Sequence, residues 1–139
     1  MFTYCSKGEK RVFSGVEHFA IAARDTELLA KWYCDNLGFR TVYRNTKTPP
    51  TYFIKSSEGS MIEIIPANEK DKIGQGSTDP GLRHLAITVS DFEKAYAYLK
   101  EKRVRSLGEP KEASGGVKVA YFADIEDNII HIIFRPNPL

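Results

Sequence analysis

Two short runs in this chain each enclose one polar side chain in an otherwise apolar strand. Met61-Ile62-Glu63-Ile64-Ile65 holds a glutamate, and Ile129-Ile130-His131-Ile132-Ile133 holds a histidine at the equivalent place. An unpaired carboxylate in such a strand carries a heavy desolvation cost, which a bound cation would offset. The two remaining histidines, His18 and His84, each open a stretch with Ala-Ile at the second and third positions after it and an aspartate, Asp25 or Asp91, at its end. His18 and His84 are 66 residues apart, His18 lies 45 residues before Glu63, and His84 lies 47 before His131. The chain has three histidines, and all of them fall, with Glu63, at repeat-equivalent positions. Three imidazoles and one carboxylate suit a borderline divalent ion such as Zn²⁺, Ni²⁺, Co²⁺ or Fe²⁺. Singly, each residue has a plainer reading: a core or surface histidine held by neighbours, or a glutamate paired with Arg40, Arg44 or Arg83. Their joint placement points to a metal site with His18, Glu63, His84 and His131 as ligands.

Such a site needs elements that repeat. A period of 66 residues is too long for a solenoid and suits a duplicated supersecondary module. Val16 to Ala23 reads as a strand buried on both faces. Asp25-Thr26 supplies helix N-cap chemistry, Leu29, Trp32, Tyr33 and Leu37 give one apolar helix face, and Gly38 suits the C-cap. Phe39 to Arg44 alternates, with Phe39, Thr41 and Tyr43 on one face. Thr51–Lys55 and Ser60–Ile65 make a hairpin around Glu58-Gly59. Residues 67–80 have linker composition. The order then recurs: a strand over 82–89, a helix capped by Asp91 with Phe92, Ala95, Tyr96 and Leu99 inward, a short strand over 104–107, a loop over 109–117, and a hairpin of 118–123 with 129–134. Tyr52-Phe53 and Tyr121-Phe122 look like matching dipeptides ahead of the two enclosed polar residues. The predicted class is α+β, one domain over 1–139 made of two tandem βαβββ modules (16–66 and 81–136, joined by 67–80). Residues 1–14 lie outside the repeat, as an arm with an edge strand around Lys10 to Phe13.

Composition narrows the function classes. With 42% hydrophobic and 27% charged residues the chain reads as an ordinary soluble domain, and a net charge of +2 argues for neither nucleic acid nor an anionic membrane. No apolar run approaches the ~18 residues of a membrane span, and the N-terminus lacks a signal peptide's apolar core. Cys5 and Cys34 have no metal spacing, and two free thiols fit a reducing cytoplasm. Phosphate-loop and nucleophile-elbow motifs are absent.

The strand from His18 to Asp25, Trp32-Tyr33 with Leu37-Gly38-Phe39, Met61 to Ile65, His84 to Asp91 and Tyr121 to Ile133 together resemble the vicinal oxygen chelate superfamily, also called the glyoxalase/bleomycin-resistance/extradiol-dioxygenase group. The resemblance spans about residues 16 to 135. It implies paired modules whose curled mixed sheets surround a metal cleft, often built between two chains, and so a homodimer acting on a small molecule. The ligand order His, Glu, His and a fourth is similar to bacterial glyoxalase I, a metal-dependent lyase that isomerises the hemithioacetal of glutathione and methylglyoxal. That likeness implies a metal that polarises carbonyl oxygens and a carboxylate that moves a proton between neighbouring carbons. Glu63, the one carboxylate among the four candidates, is the expected general base. Three positions depart from the glyoxalase I pattern: His131 stands where the fourth ligand is usually Glu, Ala22 where an arginine helps hold glutathione, and Ala67 where an asparagine does. The expected substrate is therefore a small carbonyl compound or its thiol adduct, with glutathione itself a doubtful cofactor. The competing class is a metal-free binding protein of the bleomycin-resistance type. An extradiol dioxygenase would want Fe²⁺ on a two-His-one-carboxylate face and a longer chain.

Overall fold

The computed structural model describes residues 12–74, 76 and 78–139. Cys5 and most of the expected N-terminal arm lie outside these residues, and Val12 and Phe13 are exposed and form no strand. Asp25 and Asp91 start the two helices, α1 (Thr26–Leu37) and α2 (Phe92–Glu101). Each carboxylate accepts a backbone N–H from the first turn, Leu28 at 2.9 Å and Lys94 at 3.0 Å, which satisfies a donor the helix leaves orphaned. α1 stops at Gly38, whose φ of 70° is left-handed and costs glycine no clash.

Around α1 run β1 (His18–Ala23), β2 (Arg40–Arg44), β3 (Tyr52–Lys55) and β4 (Met61–Pro66), in the sheet order β1-β4-β3-β2 with β1 and β4 parallel. Around α2 run β5 (Leu85–Thr88), β6 (Arg105–Ser106), β7 (Lys111–Ala113), β8 (Val117–Ala123) and β9 (Ile129–Phe134), in the order β5-β9-β8-β6 with β5 and β9 parallel. This is the α+β architecture of two mixed sheets expected from the repeat. The expected 109–117 loop contains a strand: β7 pairs with the start of β8 and β6 with its end. Together they make one edge strand broken around Gly108 and Pro110, where proline has no N–H to give the ladder.

Each helix covers one face of its own sheet. Leu29, Ala30 and Tyr33 pack on Ile54, Ile62 and Ile64, and Phe92 and Leu99 pack on Phe122, Ile130 and Ile132. Each large apolar side chain so buried contributes about 1.5–3 kcal/mol. Trp32, Leu37 and Leu85 pack against both clusters, so the two halves share a core. Polar contacts lock them further. The Tyr33 hydroxyl donates to the buried Asp124 carboxylate at 2.9 Å, and Glu126 accepts the backbone N–H groups of Arg24 at 3.1 Å and Asp25 at 3.0 Å. No helix among the described residues is long and apolar enough to cross a membrane.

Three local expectations are corrected. β1 is an edge strand with one covered face, not a strand buried on both, and Phe19, Ala20 and Ala22 are exposed. β2 is exposed along its whole length, so Thr41 and Tyr43 are exposed while Phe39, just ahead of it, is buried, and a β-bulge between Thr41 and Tyr43 breaks the expected alternation. The aromatic dipeptides are offset by one: Phe53 faces Glu63 and Tyr121 faces His131, because register is counted from the hairpin turns.

Candidate metal centre

The two sheets present the candidate ligands in the same way. Ala20 of β1 faces Glu63 of β4, and Ala86 of β5 faces His131 of β9. His18 and His84 each stand two residues earlier. The side-chain period of a strand is two, so each histidine shares a face with its module's enclosed polar residue, one diagonal step away. That face is the one turned from the helix. Ile62, Ile64, Ile130 and Ile132 take the helix side and are buried.

In the first sheet, Nε2 of His18 lies 3.3 Å from Oε2 of Glu63, with the two side chains 33% and 26% exposed. Glu63 is thus only partly buried, contrary to its apolar run, because its strand face is open. The His18 Nδ1 meets the carboxylate of Glu17. That hydrogen bond, with the charges of Glu17 and Glu63 behind it, holds the imidazole above its ordinary pKa against the opposing pull of desolvation. Phe53 meets the His18 ring edge-to-face at 5.3 Å. No arginine among the described residues pairs with Glu63. Arg44 donates to the Tyr52 hydroxyl at 3.1 Å, and Arg83 donates to the carbonyls of Gly76, Pro80 and Gly81.

In the second sheet, the rings of His84 and His131 lie 4.4 Å apart and are tilted by 39°. His84 is exposed, whereas His131 is 7% exposed. Both ring nitrogens of His131 are buried without a hydrogen-bond partner among the described residues. Burial first, then His84 and Arg135, holds the His131 imidazole below its ordinary pKa. It is therefore neutral at physiological pH and keeps a lone pair. Tyr121 closes over the pair, 5.7 Å from His84 and 4.9 Å from His131. A buried imidazole with an unused lone pair, beside a second imidazole, is a donor set that fits a borderline divalent cation.

The structure brings the four predicted residues together as two pairs and not as a foursome. Among the described residues no three His, Cys, Asp or Glu side chains of one chain are grouped so that they could hold a metal ion. A cavity of about 500 Å³ runs between the edge strands β1 and β5, walled by Phe19, Ala20, Ala22, His84, Ala86 and Ile129. Sequence reasoning missed Glu17 and the ring packing of Phe53 and Tyr121. Counting back from the hairpin turns would have found the two aromatics, but nothing local marked Glu17.

Solved structures share this fold. A glyoxalase family protein from Enterococcus faecalis superposes with a TM-score of 0.74 at 22% identity, covering 88% of this chain and 99% of that one. A lactoylglutathione lyase from Agrobacterium tumefaciens does so at 0.67 and 15%, covering 89% and 96%. TnmS3, an antibiotic-binding protein from Streptomyces sp. CB03234, does so at 0.70 and 19%, covering 91% and 99%. The protein YwkD of Bacillus subtilis (strain 168), itself uncharacterised, is 25% identical over 116 residues, covering 81% of this chain and 91% of its own length. Residues 15–132 match the model of the Glyoxalase/Bleomycin resistance protein/Dioxygenase superfamily, and the chain belongs to that superfamily.

Proposed function

We propose that the chain is a divalent-metal-dependent lyase or isomerase of the glyoxalase I type, acting on a small carbonyl compound or its thiol adduct. In this reading the metal is held by His18 and Glu63 of one copy and His84 and His131 of a second copy in a homodimer. The observation that carries it is His131: two buried ring nitrogens without partners among the described residues, beside the exposed imidazole of His84. An unsatisfied buried group of this kind costs about 1–3 kcal/mol, which ligation would offset. Assembly in trans is supported by the shared core and by the Tyr33–Asp124 and Glu126 contacts, which hold the two sheets of one chain in a fixed relation. Charge favours the same pairing. One half-site carries the carboxylates of Glu17 and Glu63, and the other has Arg83 next to His84 in the chain and Arg135 acting on His131.

When bound, a divalent cation would supply Lewis-acid polarisation of a carbonyl oxygen, acidifying the neighbouring C–H. Glu63 is positioned to take that proton and return it to the adjacent carbon, since its carboxylate faces the open side of the sheet. Phe53 and Tyr121 pack the imidazoles in place. Ala22 and Ala67 stand where the glyoxalase I resemblance expects an arginine and an asparagine for glutathione, which supports a small substrate without glutathione. Cys34 is a free thiol among the described residues, which fits a reducing compartment, and we propose the cytoplasm.

A second reading is a metal-free binder of an apolar small molecule, favoured by the largely apolar cavity between β1 and β5. Metal analysis of untagged protein, zinc titration and sedimentation separate the two. The first reading expects a dimer binding one metal per half-site pair, with His131→Glu still binding and His131→Ala losing most affinity. A monomer that takes up no transition metal, or three proteins with identical affinities, would overturn it.

A further inference from the structure

β1 begins at His18, so Glu17 stands just ahead of the strand, where the pleat does not yet send it to the opposite face. Its carboxylate accepts from Nδ1 of His18, while Nε2 of the same ring faces Oε2 of Glu63 at 3.3 Å. A neutral imidazole has one N–H and one lone pair. Between two carboxylates, either tautomer sets its lone pair against one of them. The hydrogen-bonded partner is Glu17, while Glu63 meets Nε2 only as a charge neighbour, so the proton is best kept on Nδ1. The Nε2 lone pair and a Glu63 oxygen then converge as two acceptors on one space, an arrangement that a cation relieves. The second sheet has no such device, because Arg83 precedes His84 and offers only donors.

We propose that Glu17 is a positioning residue that locks His18 in its Nδ1–H tautomer and so leaves Nε2 as the ligating atom, an inference that rests on the metal-site reading above. Carboxylates behind metal-bound histidines act in this way, and removing one typically costs 10–100-fold in metal affinity. The test uses the full chain labelled with ¹⁵N-histidine, as wild type, Glu17→Ala and Glu17→Gln. Long-range ¹H–¹⁵N spectra of metal-free protein at about pH 9, where an imidazole is neutral, report the tautomer. Zinc titration of the same samples reports affinity. Wild-type His18 is expected as the Nδ1–H form, Glu17→Ala with a large share of Nε2–H, and Glu17→Gln between them because its amide oxygen still accepts. Zinc affinity is expected to fall at least ~10-fold in Glu17→Ala and less in Glu17→Gln. An unchanged tautomer, or unchanged zinc affinity, in Glu17→Ala overturns the proposal. If the tautomer shifts as expected but wild type binds no zinc, the lock stands and the metal reading fails instead.

Discussion

His131→Leu should make the metal-free protein more stable while removing its response to metal. The wild-type ring is buried with neither nitrogen bonded, and its neighbours on β9 are Ile130 and Ile132, both buried. Leaving such polar atoms unsatisfied costs about 1–3 kcal/mol. Leucine removes that penalty at similar volume but loses the edge contact with Tyr121 at 4.9 Å, a loss of about 0.5–1.5 kcal/mol. The net expectation is a gain of about 1 kcal/mol. Urea unfolding in chelator at about pH 8 would show it as a higher midpoint with an unchanged slope. Zinc at roughly one hundred times its Kd should then stabilise wild type by about 2.7 kcal/mol and His131→Leu far less. A metal-free His131→Leu that is less stable than wild type would refute the reasoning, because it would mean that the ring is satisfied in solution.

Further outcomes follow from the same geometry. His131 has a lowered pKa, so the unfolded chain takes up a proton that the folded protein refuses; metal-free wild type should lose stability as pH falls below about 6.5, and His131→Leu should lose less over the same range. His18 works in the opposite sense: its raised pKa contributes stability that is present below about 6.5 and lost as pH rises through the folded value, so unfolding curves of His18→Ala against wild type should differ most on the acid side. Asp124→Ala should cost about 3 kcal/mol or more by urea unfolding, since its carboxylate accepts from the Tyr33 hydroxyl, the Glu126 and Asn128 backbone N–H groups and the Asn128 amide. If the chain has the proposed activity, Glu63→Gln should retain measurable zinc binding but lose about 10²–10⁴-fold in turnover of a carbonyl substrate; full turnover would remove Glu63 as the base.

Much of this protein is written in local signals. Asp25 and Asp91 sit where helix caps are needed and are caps, Gly38 ends α1 in the conformation glycine favours, and the two histidine-led repeats became two equivalent sheets. The enclosed polar residues were legible for the same reason: strand period alone puts Glu63 and His131 opposite their isoleucines, on the face shared with His18 and His84. What covers a face is not local, and there the sequence falls silent. Apolar composition made β1 look buried on both sides, yet its outer face is open among the described residues, since no second layer of them covers it. The bulge in β2, the β7 pairing and the one-residue offset of Phe53 against Tyr121 depend on ladder register, which a partner strand sets. The Tyr33–Asp124 bond joins residues far apart in the chain and exists only once α1 of the first half has packed beside the β8–β9 turn of the second. Sequence thus determined which residues share a sheet face, while tertiary packing decided that one chain presents them as two separate pairs, since a fixed core between the sheets holds the pairs in place.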